Sequence, residues 1–138
     1  MPHLHRLPVV LSIASIKSWC LLLGLGTTYS QLLDTVWQLV NYVKTVRVEK
    51  GDSVVIYLPM LMELPIAMLA CSRIGPVHSV VFAGFSADAI AQRITDCKSK
   101  VVITCNVVKR GLKLVPLKDI IDAALVESAK NGVTVGYS

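Results

Sequence analysis

Charge is scarce in this chain. Asp, Glu, Lys and Arg make up 17% of its 138 residues, against 54% apolar residues, and the mean hydropathy is +0.62. Soluble domains carry about 25% charged residues, so this composition suits a piece covered by further protein or by lipid. Acids are missing altogether from the first 27 residues, where Arg6 and Lys17 stand alone. They are missing again from Cys97 to Lys118, a stretch holding Lys98, Lys100, Lys109, Arg110, Lys113 and Lys118. The net charge is only +5, and beyond residue 27 twelve bases face nine acids. That is too small and too scattered a surplus for a nucleic-acid partner. Cys20, Cys71, Cys97 and Cys105 form no C-x-x-C pair, which argues against zinc or a disulfide framework and for a reducing intracellular compartment, cytoplasm or organelle matrix or stroma. No Ser-His-Asp or Cys-His arrangement offers itself for nucleophilic catalysis. His78 falls in an apolar run and reads as a core histidine, and His3-x-His5 reads as a disordered terminus rather than a metal site. Glu63 and Asp88 read as helix-start carboxylates, with nothing pairing them for acid–base work.

What is present is mostly aliphatic and regular. One domain fits the length, with enough chain to bury a core. Residues 1–27 are set apart as an apolar leader. Within them Leu7 to Gly26 is long enough to span a bilayer, since about 20 residues suffice. Lys17 near the middle costs about 2.5–3.5 kcal/mol there, and Pro8, Gly24 and Gly26 weaken a helix, so a membrane is disfavoured. A secretory signal (Arg6, then Val9 to Ile16, with Ala14 and Ser15) and a leader without a dedicated role are the competing readings.

From Thr28 the pattern alternates. Thr28-Tyr29 reads as a short β segment and Ser30 as the cap of a helix whose Leu32, Val36, Leu39, Val40 and Val43 recur at helical spacing; Trp37 and Tyr42 on it read as packing residues. Lys50-Gly51-Asp52 turns the chain into a strand, Ser53 to Leu58, stopped by Pro59. A helix follows from Glu63 to Ile74, with Pro65 tolerated in its first turn and Gly75 as its stop. Val77 to Phe82 reads as a buried strand, and Ser86 caps a helix ending near Cys97 with Asp88 at its positive end. Lys100 to Cys105 is a strand, Lys109 to Lys113 lies in a basic loop, Lys118 to Lys130 is a helix ended by Asn131-Gly132, and Val133 to Tyr137 is a last strand. Continuous rather than alternating apolar strands separated by helices predict an α/β fold: a mostly parallel sheet with helices on both faces.

Several runs stand together in one order: Thr28-Tyr29-Ser30-Gln31-Leu32-Leu33, Lys50-Gly51-Asp52, Ile56-Tyr57-Leu58-Pro59-Met60, the stretch from Met68 to Ser86 and Lys100-Val101-Val102-Ile103-Thr104. Over residues 28–138 the chain resembles the acetyl-CoA synthetases, the AMP-forming acetate–CoA ligases of the adenylating superfamily. The resemblance implies a partial N-terminal adenylating domain. Such enzymes use ATP to convert acetate to an acetyl-adenylate, release pyrophosphate, and pass the acetyl group to CoA. The family's phosphate loop, of the Y-T-S-G-T-T-G-x-P-K-G kind, does not occur in these 138 residues; nor do the family's acyl pocket, ribose-binding region and C-terminal domain. No catalytic residue and no metal ligand is therefore assigned, and the stretch is expected to be inactive alone.

One functional element of the family is matched. A basic motif after the Val-Ile-Thr strand contacts the 3′-phosphate and adenosine part of CoA in similar enzymes, and here it corresponds to Arg110-Gly111-Leu112-Lys113. Arg110 matches the family's arginine, whose guanidinium forks to phosphate. Lys113 keeps a charge but not that bidentate geometry, and Leu112 replaces a residue that is often Gly or Pro. Ala83 and Gly84 line the adenine in this reading, by close backbone approach. The competing reading is a solvated basic turn. For the chain as a whole, the alternative to an enzyme fragment is a truncated, non-catalytic paralogue that binds CoA or a full-length synthetase. Arg47 takes a position where relatives usually have Gly, so a left-handed backbone there would cost about 1 kcal/mol.

Overall fold

The computed structural model describes residues 9–12, 28–110, 112–132 and 136–137. The elements in chain order are β1 (Val9–Ser12), α1 (Tyr29–Thr45), β2 (Ser53–Leu58), α2 (Glu63–Ile74), β3 (Val77–Phe82), α3 (Ala87–Cys97), β4 (Val101–Thr104), β5 (Val108–Arg110), β6 (Lys113–Val115), α4 (Leu117–Lys130) and β7 (Gly136–Tyr137). Five strands form one parallel sheet in the order β3-β2-β4-β1-β7, and β5 and β6 form a separate antiparallel pair.

The continuous apolar strands follow from a sheet covered twice. Side chains alternate along a strand, and both sets here are apolar. Val54, Ile56 and Leu58 of β2 point with Val101 and Ile103 of β4 into a core closed by α1 and α2 through Val36, Val40, Val43, Ala67, Ala70 and Cys71. Val55, Tyr57 and Val102 point the other way, against Ile90 and Ile94 of α3 and Leu117, Ile121 and Leu125 of α4. The α/β class with helices on both faces is thus the observed one. Burial pushes the Cys71 thiol up to about 11, so it stays neutral, a small apolar group in a close helix–sheet contact.

Local signals act where their chemistry demands. Gly51 and Gly75 adopt φ of 90° and 99°, and the Gly51 N–H donates to the Gly75 carbonyl, so the turn into β2 and the stop of α2 brace each other. A Cβ added at Gly75 would stand 3.0 Å from Cγ of Lys50. Ser86 accepts from the Ala89 N–H and caps α3 as expected. Arg47 is left-handed, with φ of 59°.

Other expectations need correction. Thr28, not Ser30, caps α1: its hydroxyl accepts from the Gln31 N–H while the Gln31 side chain accepts from the Thr28 N–H, so Thr28-Tyr29 starts a helix instead of forming a β segment. The β3 strand is an edge strand, not a buried one. Of its residues only Val81 is buried, Val77 is 66% exposed, and His78 is half-buried, so it is no core histidine. Trp37 and Tyr42 lie on the outer side of α1, and the Arg73 guanidinium stacks over the Trp37 ring at 4.3 Å. Val9–Ser12, inside the stretch read as an apolar leader, is a strand between β4 and β7. The rest of the span and signal readings, like Val133 to Val135 of the expected last strand, lies outside the described residues. No helix among the described residues is long and apolar enough to cross a membrane.

Candidate functional site

Because the strands of the main sheet are parallel, the segments leaving their carboxyl ends collect at one rim. The chain goes from β2 to β3 on one side, then returns past β2 to β4 on the other. Ligands of open α/β sheets bind outside the strand carboxyl ends where the order reverses in this way. Three segments meet there: Pro59 to Met62 after β2, Ala83 to Ser86 after β3, and Cys105 onward after β4. With β2 between them, the ends of β3 and β4 stand about 10 Å apart.

The segment after β4 does not stay a loop. It turns back on itself as the β5–β6 hairpin, with Val108 opposite Val115, Lys109 opposite Leu114 and Arg110 opposite Lys113. Arg110 and Lys113 are thereby cross-strand neighbours at the closing end of the hairpin. Lys113 and Leu112 are exposed, and Leu112 is fully so; Gly111 lies outside the described residues. Gly84 is exposed in the segment after β3, beside the buried Ala83. Of the five residues singled out as a CoA site, the four described ones belong to two segments, one following β3 and one following β4.

The acid-free basic stretch is divided by the fold. Lys98 and Lys100 precede β4 and sit at the amino end of the sheet, where Lys100 pairs with Asp52. Lys118, in the first turn of α4, pairs with Asp122 at 3.1 Å. Lys113 is exposed on the hairpin whose strands also contain Lys109 and Arg110. A single contiguous basic patch is not formed, because one strand length separates its halves.

Two features of the rim were missed from sequence. Glu63 is buried in the first turn of α2, and its charge adds to burial in raising the Cys105 thiol at the end of β4. Its being the one acid between Asp52 and Asp88 was the available signal. Tyr57 is wholly buried, and its hydroxyl donates to the Phe85 carbonyl at 3.3 Å, linking β2 to the segment that carries Gly84. A lone hydroxyl in an otherwise apolar strand end was the hint. Among the described residues no cluster of His, Cys, Asp and Glu has the makings of a metal site.

Lys113 is an exposed cation of the hairpin, and the segment after β3 is exposed at Gly84 and Phe85. Among the described residues of the rim there is neither a hydroxyl-rich glycine loop nor the lysine that a triphosphate needs.

The chain is similar to known proteins over most of its length. A family described as AMP-binding enzyme matches residues 20–135 of the chain. Acetyl-coenzyme A synthetase, chloroplastic/glyoxysomal, of Arabidopsis thaliana is 71% identical over 109 residues, covering 79% of this chain and 15% of that protein. Acetyl-coenzyme A synthetase of Bradyrhizobium diazoefficiens is 57% identical over 101 residues, covering 73% of this chain and 16% of its own length. That of Drosophila melanogaster is 51% identical over 110 residues, covering 80% and 16%. The chain thus spans roughly one sixth of the length of these relatives.

Proposed function

The chain belongs to the AMP-binding enzyme family, and we propose that it is the N-terminal part of the adenylating domain of an acetate–CoA ligase, with residues 28–138 forming that part. The whole enzyme would join acetate to CoA at the expense of ATP, giving acetyl-CoA, AMP and pyrophosphate. The role proposed for this stretch is narrower: it holds the 3′-phosphate and adenosine end of CoA. The observation that carries this is the pairing of Arg110 with Lys113 across the β5–β6 hairpin, at the same sheet end as Gly84. The cross-strand register of Arg110 and Lys113 suits a single phosphate, with a guanidinium to fork to it and an ammonium to add a point charge, while Ala83 and Gly84 admit the adenine. When bound, CoA supplies the acceptor thiol; the residues here only grip its far end. ATP is not assigned to this stretch, because the described residues of the rim include neither a hydroxyl-rich glycine loop nor its lysine.

Calorimetric titration of CoA into the purified chain tests the reading. Measurable binding is expected, with the double variant Arg110→Ala, Lys113→Ala weakening it at least tenfold, since charge-assisted contacts are each worth about 1.5–3 kcal/mol. Equal affinity of variant and wild type would remove the CoA role. Acetate-dependent exchange of pyrophosphate into ATP by this stretch alone would overturn its inactivity.

A second reading rests on the rim's apolar exposure. Met60, Phe82, Phe85, Leu112 and Leu114 are all exposed at or beside this end, which supports contact with more protein, such as a full-length synthetase. Failure to co-purify with such a synthetase would remove it. The free thiols Cys71, Cys97 and Cys105, together with a relative named chloroplastic/glyoxysomal, support a reducing compartment, cytoplasm or organelle matrix or stroma.

A further inference from the structure

The segment Ala83 to Ser86 is short, carries a glycine, and is exposed at Gly84 and Phe85. Left to itself such a segment samples many conformers, and a ligand that needs one of them bears the ordering cost. Here both ends of the segment are tied. The Gly84 and Phe85 N–H groups donate to the Phe82 carbonyl at 2.7 and 3.1 Å, which folds the chain sharply off the end of β3. On the far side the Phe85 carbonyl, one residue before the α3 cap at Ser86, accepts the Tyr57 hydroxyl. Tyr57 comes from β2, 28 residues earlier, and its ring is packed on the α3–α4 side of the sheet with none of its surface exposed. The packed ring is a fixed post, and its hydroxyl reaches the Phe85 carbonyl at 3.3 Å.

We propose that Tyr57 is a positioning residue for ligand binding: through its hydroxyl on the Phe85 carbonyl it holds the Gly84 segment in the shape that receives the adenine of CoA. The inference rests on the CoA reading above and deepens it. Tyr57 touches no ligand itself. Its contribution is preorganisation, which raises affinity without adding a contact. The effect therefore belongs to the adenine end and not to the phosphate end, which the hairpin holds separately.

That division gives the test. CoA and 3′-dephospho-CoA are titrated into wild type, Tyr57→Phe, and the double variant Arg110→Ala, Lys113→Ala. Tyr57→Phe keeps the ring and removes one oxygen. It is expected to weaken both ligands by the same factor, roughly three- to tenfold, the range of one neutral hydrogen bond. The wild-type preference for CoA over its dephospho form should survive. The hairpin variant is expected to lose that preference. In ligand-free Tyr57→Phe, amide exchange at Gly84 and Phe85 should quicken while the β2 amides stay protected, which separates a loosened segment from a damaged fold. Wild-type affinity in Tyr57→Phe, beside a weakened hairpin variant, overturns the positioning role and leaves the CoA reading standing. An unaffected hairpin variant overturns the CoA reading, and the role of Tyr57 with it.

Discussion

Arg47 carries its left-handed backbone, φ 59°, without the relief a glycine would give, and Lys98 does the same at the end of α3 with φ 48°. In that region the β-carbon crowds the following carbonyl, at a cost of about 1–2 kcal/mol for most residues. Arg47→Gly should therefore raise stability by about 0.5–1 kcal/mol, the strain removed less the added freedom of the unfolded chain. Urea unfolding of the two proteins would show it as a shift in midpoint at constant slope, and a lowered midpoint would contradict it. Arg47 was legible only through the family resemblance, since relatives usually have Gly at that position. Lys98 was not, since nothing in a lysine announces that its neighbours Ile94 and Thr95 will offer it their carbonyls.

At the scale of elements, helix and strand spans came through well where periodicity, caps and stops agreed. The α2 helix is framed by Pro65 in its first turn and Gly75 at its end, and β2 by Gly51 and Pro59. The start of α1 shows how two sound cues can compete. Thr28 and Ser30 are both good caps, but only Thr28 has a glutamine three residues on, and Gln31 closes a reciprocal capping box with it. Thr28→Ala should cost about 1 kcal/mol, read as a lower thermal midpoint, while Ser30→Ala should leave the midpoint nearly unchanged; the reverse order would restore Ser30 as the cap. The β5–β6 hairpin was hidden for another reason. Its strands are three residues each and their apolar residues do not alternate cleanly, so the pairing depends on where β4 delivers the chain.

For the whole molecule, the sheet order decides which backbone is sheltered. The β2 strand is paired on both sides by β3 and β4 and covered on both faces, whereas β3 is paired on one side only and exposes Val77, Val80 and Phe82. Native-state hydrogen exchange should find the β2 amides among the slowest in the chain and the unpaired amides of β3 far faster. Equal protection across β3 would mean that its edge is covered by another chain in solution. The candidate site depends on the same order. Parallel strands deliver Gly84 and the hairpin to one rim, and one strand length carries Lys98 and Lys100 away from it.

The residues by themselves determined the α/β class, because apolar strands without alternation are stable only between two layers of helices, and such strands alternate here with helical stripes. They also determined most element ends, where glycine, proline and capping side chains act over three or four neighbours. Only the tertiary structure decided what joins residues far apart in the chain. Strand order made β3 an edge and left His78 half-buried; the hairpin set Arg110 beside Lys113; and burial brought Glu63 toward Cys105 and the Tyr57 hydroxyl to Phe85. Those relations need the sheet to assemble first, and local spacing holds no record of them.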